Sequence, residues 1–247
     1  MKNEHRIYGE SADINTSTVQ ELFNNRAKSM GKDNPYTSVL LGDQNPAYAK
    51  EWNKFEKQNL LPRLKLDGSC SFLDIGCGLG RWAETVIPQC KYYCGVDFSS
   101  EMIKTARNRI QFENKKYDFV NCSFQEVAEK LKGKKFDRVI ISYICMYIND
   151  EDLEKCFASL KNLLEPNTIL YFTETVAIKE RLTLKDFYSE AMKVDYSTIY
   201  RTPEEYKKIY EKYLLEKNSI IESGFHPHLN KEKEYSETDR WYAIIGR

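Results

Sequence analysis

The sequence lacks the net charge that many nucleic-acid-binding proteins carry. Its 37 Lys and Arg residues balance 37 Asp and Glu residues, so the formal net charge is zero. Proteins that grip duplex DNA or structured RNA usually show a basic excess, because neutralising phosphates dominates that affinity. The balance therefore disfavours a nucleic-acid partner and favours a small-molecule substrate.

Long apolar segments and closely spaced cysteine pairs are also missing. The longest apolar run, residues 139–148, is too short to cross a bilayer. The seven cysteines are odd in number and include no C-x-x-C pair, which suggests neither a disulfide framework nor a zinc ribbon. His226 and His228 have no acidic or cysteine partner beside them, so no metal is expected. No signal-like apolar stretch follows the polar start. We expect a cytoplasmic protein without a membrane partner.

What the chain has is an alternation of apolar strands and amphipathic helices from residue 71 onward. Such an alternation over short loops predicts a parallel, doubly wound α/β sheet. Two closing strands, residues 218–225 and 241–245, predict an antiparallel edge hairpin and bring the sheet to seven strands. Residues 1–66 are expected to form a helical N-terminal extension or lid. Residues 67–247 then form the main domain, with a substrate-side insertion at about 175–217 in which helical signals dominate.

Several helix starts are marked by capping signals. Thr18 with Glu21 forms a capping-box pattern that predicts the start of the first helix. Asn45 before a proline predicts the second. Thr202 with Glu205 is a further capping box, inside the insertion.

The strongest signal is a glycine-rich loop after the first strand of the alternation. Residues 72–81 read Phe-Leu-Asp-Ile-Gly-Cys-Gly-Leu-Gly-Arg. Glycine is needed where a chain turns sharply off a strand and lets its backbone approach a ligand. The dinucleotide fingerprint G-x-G-x-x-G leaves a longer last gap for a pyrophosphate, whereas this loop is one residue tighter. Asp74, just before the loop, suits a cationic ligand group better than a diphosphate.

A second acid ends the second strand. Asp97 stands 17 residues after Gly80, where an acid can receive the hydroxyls of a ribose in a nucleotide-binding α/β unit. Phe98 and Met102 would then flank an adenine ring, although packing on the helix face is an equal alternative for Met102. Ser99 or Ser100 is expected to cap the following helix.

These motifs resemble the class I, Rossmann-like S-adenosylmethionine-dependent methyltransferases of the small-molecule type. The resemblance covers about residues 70–175, and the motifs arrive in the family's order. It implies S-adenosylmethionine as cofactor and S-adenosylhomocysteine as product. It places residues 123–124 at the adenine, and it places the end of strand 136–142 against cofactor and substrate. The cofactor-binding residues expected are Asp74, Gly76, Cys77, Gly78, Gly80, Asp97, Phe98, Met102, Ser123, Phe124, Ser142 and Tyr143.

Two positions depart from the family's pattern. Ser123 stands where the family usually has an aspartate, and Tyr147 stands where many relatives carry a histidine. Methyl transfer from an activated sulfonium depends mainly on alignment, and a base is needed only where the acceptor must lose a proton. The catalytic candidates are Tyr143, Tyr147 and Glu174, although a tyrosine of ordinary pKa is a poor base.

Substrate contacts are expected from both ends of the chain. Tyr36 in the extension and Tyr200 with Arg201 in the insertion are the candidates, and Arg201 would pair with a phosphate or carboxylate. The function expected is methyl transfer to an O or N atom of a small polar metabolite or sugar-type intermediate. The alternatives are an RNA or protein methyltransferase and a nicotinamide-dependent oxidoreductase. The glycine spacing and Asp74 argue against the oxidoreductase.

Overall fold

A computed structural model of the chain describes residues 5–29, 35–40, 46–190, 192–215, 219–229 and 236–246. Its strands, in chain order, are β1 (Arg6–Tyr8), β2 (Ser71–Ile75), β3 (Tyr92–Asp97), β4 (Lys116–Asn121), β5 (Phe136–Ser142), β6 (Leu164–Ala177), β7 (Leu182–Ser189), β8 (Val194–Tyr200), β9 (Ser219–Phe225) and β10 (Thr238–Gly246). Its α-helices are α1 (Thr16–Lys28), α2 (Thr37–Leu40), α3 (Pro46–Asn59), α4 (Ala83–Val86), α5 (Ser100–Arg109), α6 (Val127–Lys130), α7 (Asp150–Leu160) and α8 (Pro203–Tyr213).

The main sheet has seven strands in the order β4-β3-β2-β5-β6-β10-β9. The first five of these pair in parallel, whereas β10 is antiparallel to both β6 and β9. Leu73 and Ile75 of β2 pack into one apolar cluster, and Phe72 packs into another. Alternate residues of a strand point to opposite faces, so the sheet is covered by apolar layers on both sides. The predicted seven-stranded, doubly wound sheet with its antiparallel edge pair is confirmed.

A second sheet corrects the expectation that the insertion is helical. Strands β7 and β8 form an antiparallel pair, and β1 adds to β7 with Ile7 opposite Thr183. Among the described residues of the insertion, only α8, which follows them, is helical. Residues 194–200 are rich in β-branched and aromatic side chains, a strand signal that outweighs the weaker helical pattern. The extension and the insertion therefore share one small sheet.

The first helix begins two residues before its predicted start. The Asn15 side chain accepts a hydrogen bond from the Ser17 N–H at 3.0 Å, which makes Asn15 the cap of α1. The Thr18 hydroxyl donates to the Asn15 carbonyl instead, at 2.8 Å. Asn is as good an N-cap as Thr or better, so the earlier residue takes the position.

The other caps agree with the sequence where the structure describes them. Ser99 caps α5, because its hydroxyl accepts the Met102 N–H at 3.1 Å. Thr202 and Glu205 form both bonds of the capping box at α8. Helix α3 begins at Pro46, and its expected cap, Asn45, lies outside the described residues. None of the helices in the described ranges has the length and apolar character needed to cross a membrane.

Candidate cofactor and active site

A cavity of about 580 Å³ lies at the carboxyl ends of β2, β3 and β5. Ligands of open α/β sheets bind at this edge, and the volume falls in the usual range for small-molecule sites. Ten of the twelve residues that the sequence assigned to the cofactor border it. They are Gly76, Cys77, Gly78, Asp97, Phe98, Met102, Ser123, Phe124, Ser142 and Tyr143.

The glycine-rich loop forms the base of the cavity. The backbone N–H groups of Gly76 and Cys77 both donate to the Val96 carbonyl, at 2.8 and 2.9 Å, which ties the loop to β3. Gly76 has φ of 79°, a left-handed conformation that favours glycine. A Cβ at Gly76 would lie 2.2 Å from Cγ2 of Ile144. Backbone conformation and lack of space therefore both require glycine there.

Asp74 and Gly80, the other two expected cofactor residues, are not brought to the cavity lining. The Asp74 carboxylate is fully buried and accepts the Tyr93 hydroxyl at 2.6 Å, and burial raises its pKa to about 7. A Cβ at Gly80 would lie 2.8 Å from Cγ1 of Ile110, so Gly80 packs the loop against the end of α5. Both residues therefore support the glycine-rich loop on the side away from the cavity.

Asp97 is held rigidly at the cavity. Its Oδ2 accepts the Gly78 N–H and its Oδ1 accepts the Ser99 N–H, each at 2.9 Å. Each carboxylate oxygen can accept a second hydrogen bond. Burial raises the pKa of Asp97 to about 6, which leaves it mostly ionised at neutral pH. The geometry thus offers two fixed acceptors to a ligand.

A buried ion pair forms another part of the wall, and the sequence analysis missed it. Arg81 borders the cavity and is 5% exposed. It donates to Oε2 of Glu56 at 2.5 Å and to the Ser142 hydroxyl at 3.3 Å. Glu56 is fully buried on α3. The one sequence signal was the arginine directly after the loop. Its pairing with Glu56 could not be predicted, because Glu56 lies 25 residues away on another element.

Tyr143 and Tyr147, two of the catalytic candidates, both border the cavity. The Tyr143 hydroxyl accepts the indole N–H of Trp52 at 3.0 Å. The Tyr147 hydroxyl lies 3.5 Å from that of Tyr196. Burial raises the pKa of both phenols above the ordinary tyrosine value. Both side chains therefore stay protonated at neutral pH.

Glu174, the third catalytic candidate, is not among the residues that line the cavity. It is fully buried, and its Oε1 accepts the backbone N–H groups of Ile144 and Cys145 at 2.8 and 2.7 Å. Burial raises its pKa to about 8. The carboxyl group therefore faces the backbone of the turn that follows β5.

Two expected substrate residues also lie outside the cavity lining. The Tyr36 hydroxyl donates to Oε2 of Glu84 at 2.9 Å. The Tyr200 hydroxyl lies 3.2 Å from that of Tyr196. Tyr196 thus lies between the hydroxyl groups of Tyr200 and Tyr147.

Arg201, the third expected substrate residue, makes internal contacts. It is 1% exposed, and it donates from Nε and Nη2 to Oδ1 of Asp150 at 2.9 and 2.7 Å. It also donates to the carbonyls of Cys145 and Ile148 at 2.8 and 2.7 Å. Its guanidinium group therefore joins β8 to the turn before α7.

The N-terminal extension supplies one wall of the cavity. The sequence predicted an extension or lid here, but not which of these residues line the cavity. Four residues of α1 and two of α2 border the cavity: Thr16, Ser17, Gln20, Phe23, Val39 and Leu40. Gln20 donates to the Phe98 carbonyl at 2.7 Å, and Arg26 donates to the Thr37 carbonyl at 2.7 Å. These bonds join α1 to the main sheet and to α2.

Known methyltransferases resemble this chain in sequence and in fold. Residues 72–167 match the model of the family described as a methyltransferase domain. The fold is shared with an S-adenosylmethionine-dependent methyltransferase from Leishmania major, with a TM-score of 0.68 over 93% of this chain and 82% of that one, at 16% identity. Residues 72–167 therefore match a methyltransferase domain, and the class I fold that the resemblance in the sequence implied is confirmed.

Curated relatives with different substrates match parts of the chain. It is 24% identical over 144 residues to phosphoethanolamine N-methyltransferase 1 of Triticum aestivum, covering 58% of this chain and 28% of that protein. It is 28% identical over 93 residues to ribosomal RNA small subunit methyltransferase H of Rickettsia africae, covering 37% of this chain and 30% of that protein. The chain thus spans less than a third of the length of either relative.

Proposed function

We propose that this chain transfers a methyl group from S-adenosylmethionine to an O or N atom of a small polar metabolite or sugar-type intermediate. The observation that carries the proposal is that the glycine-rich loop, Asp97 and Arg81 all border one cavity. A fixed carboxylate and a fixed guanidinium suit a ligand with a ribose at one point and a carboxylate at another. S-adenosylmethionine has both groups.

The residues present fit that cofactor. Asp97 would receive the ribose hydroxyls, because its oxygens keep acceptor capacity after binding two backbone N–H groups. Met102 and Phe124 would lie against the adenine as apolar walls. Arg81, held by Glu56, would pair with the cofactor's carboxylate. When bound, the cofactor supplies an activated sulfonium methyl, so the chain's task is mainly to align the acceptor and exclude water.

A small acceptor is supported by the cover over the cavity. Helix α1 places Phe23 beside Tyr147, with ring centroids 5.2 Å apart, and both rings border the cavity. A wall of this kind leaves less room for a base-paired RNA than for a metabolite. The balanced overall charge supports the same conclusion, because RNA binding usually requires a basic surface.

Transfer of radiolabelled methyl groups tests the substrate class. The purified chain and methyl-labelled S-adenosylmethionine are incubated in three separate reactions. One contains a low-mass metabolite extract, one contains ribosomal RNA and one contains denatured cell protein. We expect label in a low-mass product separated from S-adenosylmethionine by chromatography, and we expect the Asp97→Ala variant to form less of it. Label in RNA or protein alone would contradict the small-molecule proposal while leaving the methyltransferase class intact.

A further inference from the structure

The turn from Tyr143 to Tyr147 forms one wall of the cavity and is not a regular helix or strand over its whole length. Its first residue, Tyr143, has φ of 56°. This left-handed conformation costs free energy in any residue with a Cβ, and it persists only where the surroundings impose it. The turn therefore needs groups that hold it.

The carboxyl group of Glu174 is one such group. Its Oε1 accepts hydrogen bonds from Ile144 N and Cys145 N, at 2.8 and 2.7 Å, and these are the two residues after Tyr143. The Glu174 side chain is fully buried. Removing an acceptor from two consecutive backbone N–H groups in a buried setting leaves both unsatisfied, which is costly. The neighbouring Thr173 carbonyl accepts the Tyr143 N–H at 2.9 Å, so β6 holds three successive residues of the turn.

The held turn meets two other parts of the cavity. Cγ2 of Ile144 lies so close to Gly76 that a Cβ there would be 2.2 Å away, so the turn touches the glycine-rich loop. The Tyr143 hydroxyl accepts the Trp52 indole N–H at 3.0 Å, which connects the turn to α3. A shift of the turn would therefore displace the loop and the Tyr143 ring together.

We infer that Glu174 is a positioning residue: its carboxyl group holds the turn in the conformation that places Tyr143 and Tyr147 at the cavity. It acts through those residues and touches no ligand itself. The inference rests on the proposed function only in taking the cavity as the site of S-adenosylmethionine. The hydrogen bonds that carry it belong to the protein alone.

Variants of Glu174 test the inference by binding. S-adenosylhomocysteine affinity is measured by calorimetry for wild type, Glu174→Leu, Glu174→Gln and Tyr210→Phe. Leucine removes the acceptor, and we expect affinity to fall about tenfold or more, the scale for lost buried hydrogen bonds. Glutamine keeps a carbonyl oxygen, and we expect less than about a threefold change. Tyr210→Phe is the matched control, because it removes a buried hydroxyl without a hydrogen-bond partner among the described residues.

A double-variant cycle separates positioning from general stability. In a Tyr143→Gly background the left-handed conformation carries no Cβ penalty. We therefore expect Glu174→Leu to weaken binding by less than about threefold there, which is a coupling between the two sites. The same loss of affinity in both backgrounds would overturn the inference. Failure of the wild-type chain to bind S-adenosylhomocysteine would instead overturn the proposed function.

Two measurements by NMR need no ligand. In the wild-type chain, the amide protons of Ile144 and Cys145 should exchange with solvent as slowly as those of β6, because both N–H groups are bonded. The indole N–H signal of Trp52 should move in Glu174→Leu and stay in place in Tyr210→Phe. Fast exchange at Ile144 and Cys145 in wild type would overturn the inference even if the leucine variant fails to fold.

Discussion

The backbone N–H of Gly78 donates to Oδ2 of Asp97 at 2.9 Å and so joins the glycine-rich loop to the end of β3. The bond fixes one carboxylate oxygen relative to the loop that would cradle the cofactor. A rigid acceptor binds hydroxyl groups with less loss of side-chain entropy than a mobile one. The cofactor site is thus organised by the protein's own hydrogen bonds.

The first prediction concerns Asp97. We expect Asp97→Ala to weaken S-adenosylmethionine binding by about 1.5–3 kcal/mol, the scale for losing hydrogen bonds to a charged group. Calorimetry measures the change. Asp118→Ala is the control, because Asp118 lies on the neighbouring strand β4 and bonds the Tyr92 hydroxyl at 2.6 Å, outside the cavity lining. Unchanged affinity in Asp97→Ala would mean that the ribose is held elsewhere.

The second prediction concerns the buried ion pair of Arg81 and Glu56. Arg81→Met leaves Glu56 buried without its charged partner, and we expect the free energy of unfolding to fall by about 3–5 kcal/mol. Adding Glu56→Gln removes the stranded charge, so the double variant should recover much of that stability. It should still bind S-adenosylmethionine weakly, because the Arg81 guanidinium would no longer face the cofactor's carboxylate. Urea unfolding and calorimetry test the two parts separately, and full affinity in the double variant would remove Arg81 from the site.

The third prediction compares two glycines with similar left-handed backbones. Gly76 has φ of 79° and Gly68 has φ of 82°. A Cβ at Gly68 would meet nothing within 4 Å, whereas at Gly76 it would collide with Ile144. Gly68→Ala should therefore cost about 1–2 kcal/mol from backbone strain alone. Gly76→Ala should cost clearly more in urea unfolding and also weaken cofactor binding. An equal loss in the free energy of unfolding for the two variants would show that the Ile144 side chain moves aside without cost.

The fourth prediction concerns pH and Asp74. Burial raises its folded-state pKa from 3.8 to about 7, so the folded protein keeps this proton at pH values where the unfolded chain has lost it. Its contribution to stability is therefore full below pH 3.8 and is lost as the pH rises to about 7. We expect Asp74→Asn to flatten the decline in the free energy of unfolding across that window. Asp97 and Glu174 also have raised pKa values and are present in both proteins, so part of the decline should remain in Asp74→Asn. If the free energy of unfolding declined equally steeply with pH in Asp74→Asn, the raised pKa of Asp74 would be refuted.

Much of the site could be predicted because its motifs are local. The loop at Gly76 and the acid at Asp97 each end a strand, and parallel strands bring their carboxyl ends to one edge. Spacing along the chain was therefore enough to place them together. Ser142 and Tyr143 were expected there from the family resemblance and not from spacing, and they lie at the end of β5 and directly after it.

The parts that could not be predicted depend on contacts between distant segments. Nothing in the local sequence indicates that Glu56 on α3 pairs with Arg81, or that Trp52 bonds Tyr143. Strand β1 pairs with β7 nearly 180 residues away, a partner that no short window can show. Arg201 was expected at the substrate because it precedes a capped helix in the insertion and can pair with a phosphate or carboxylate, but it is buried against Asp150. Each of these contacts is set by packing between segments that are distant in the sequence.

The most direct measurement is calorimetric titration of the purified chain with S-adenosylmethionine, S-adenosylhomocysteine and NAD. The tight glycine spacing, the carboxylate of Asp97 and the guanidinium of Arg81 predict that the first two compounds bind with one-to-one stoichiometry and compete with each other. They also predict no measurable binding of NAD. Binding of NAD together with failure of both sulfur compounds to bind would contradict the assignment of the cavity to S-adenosylmethionine.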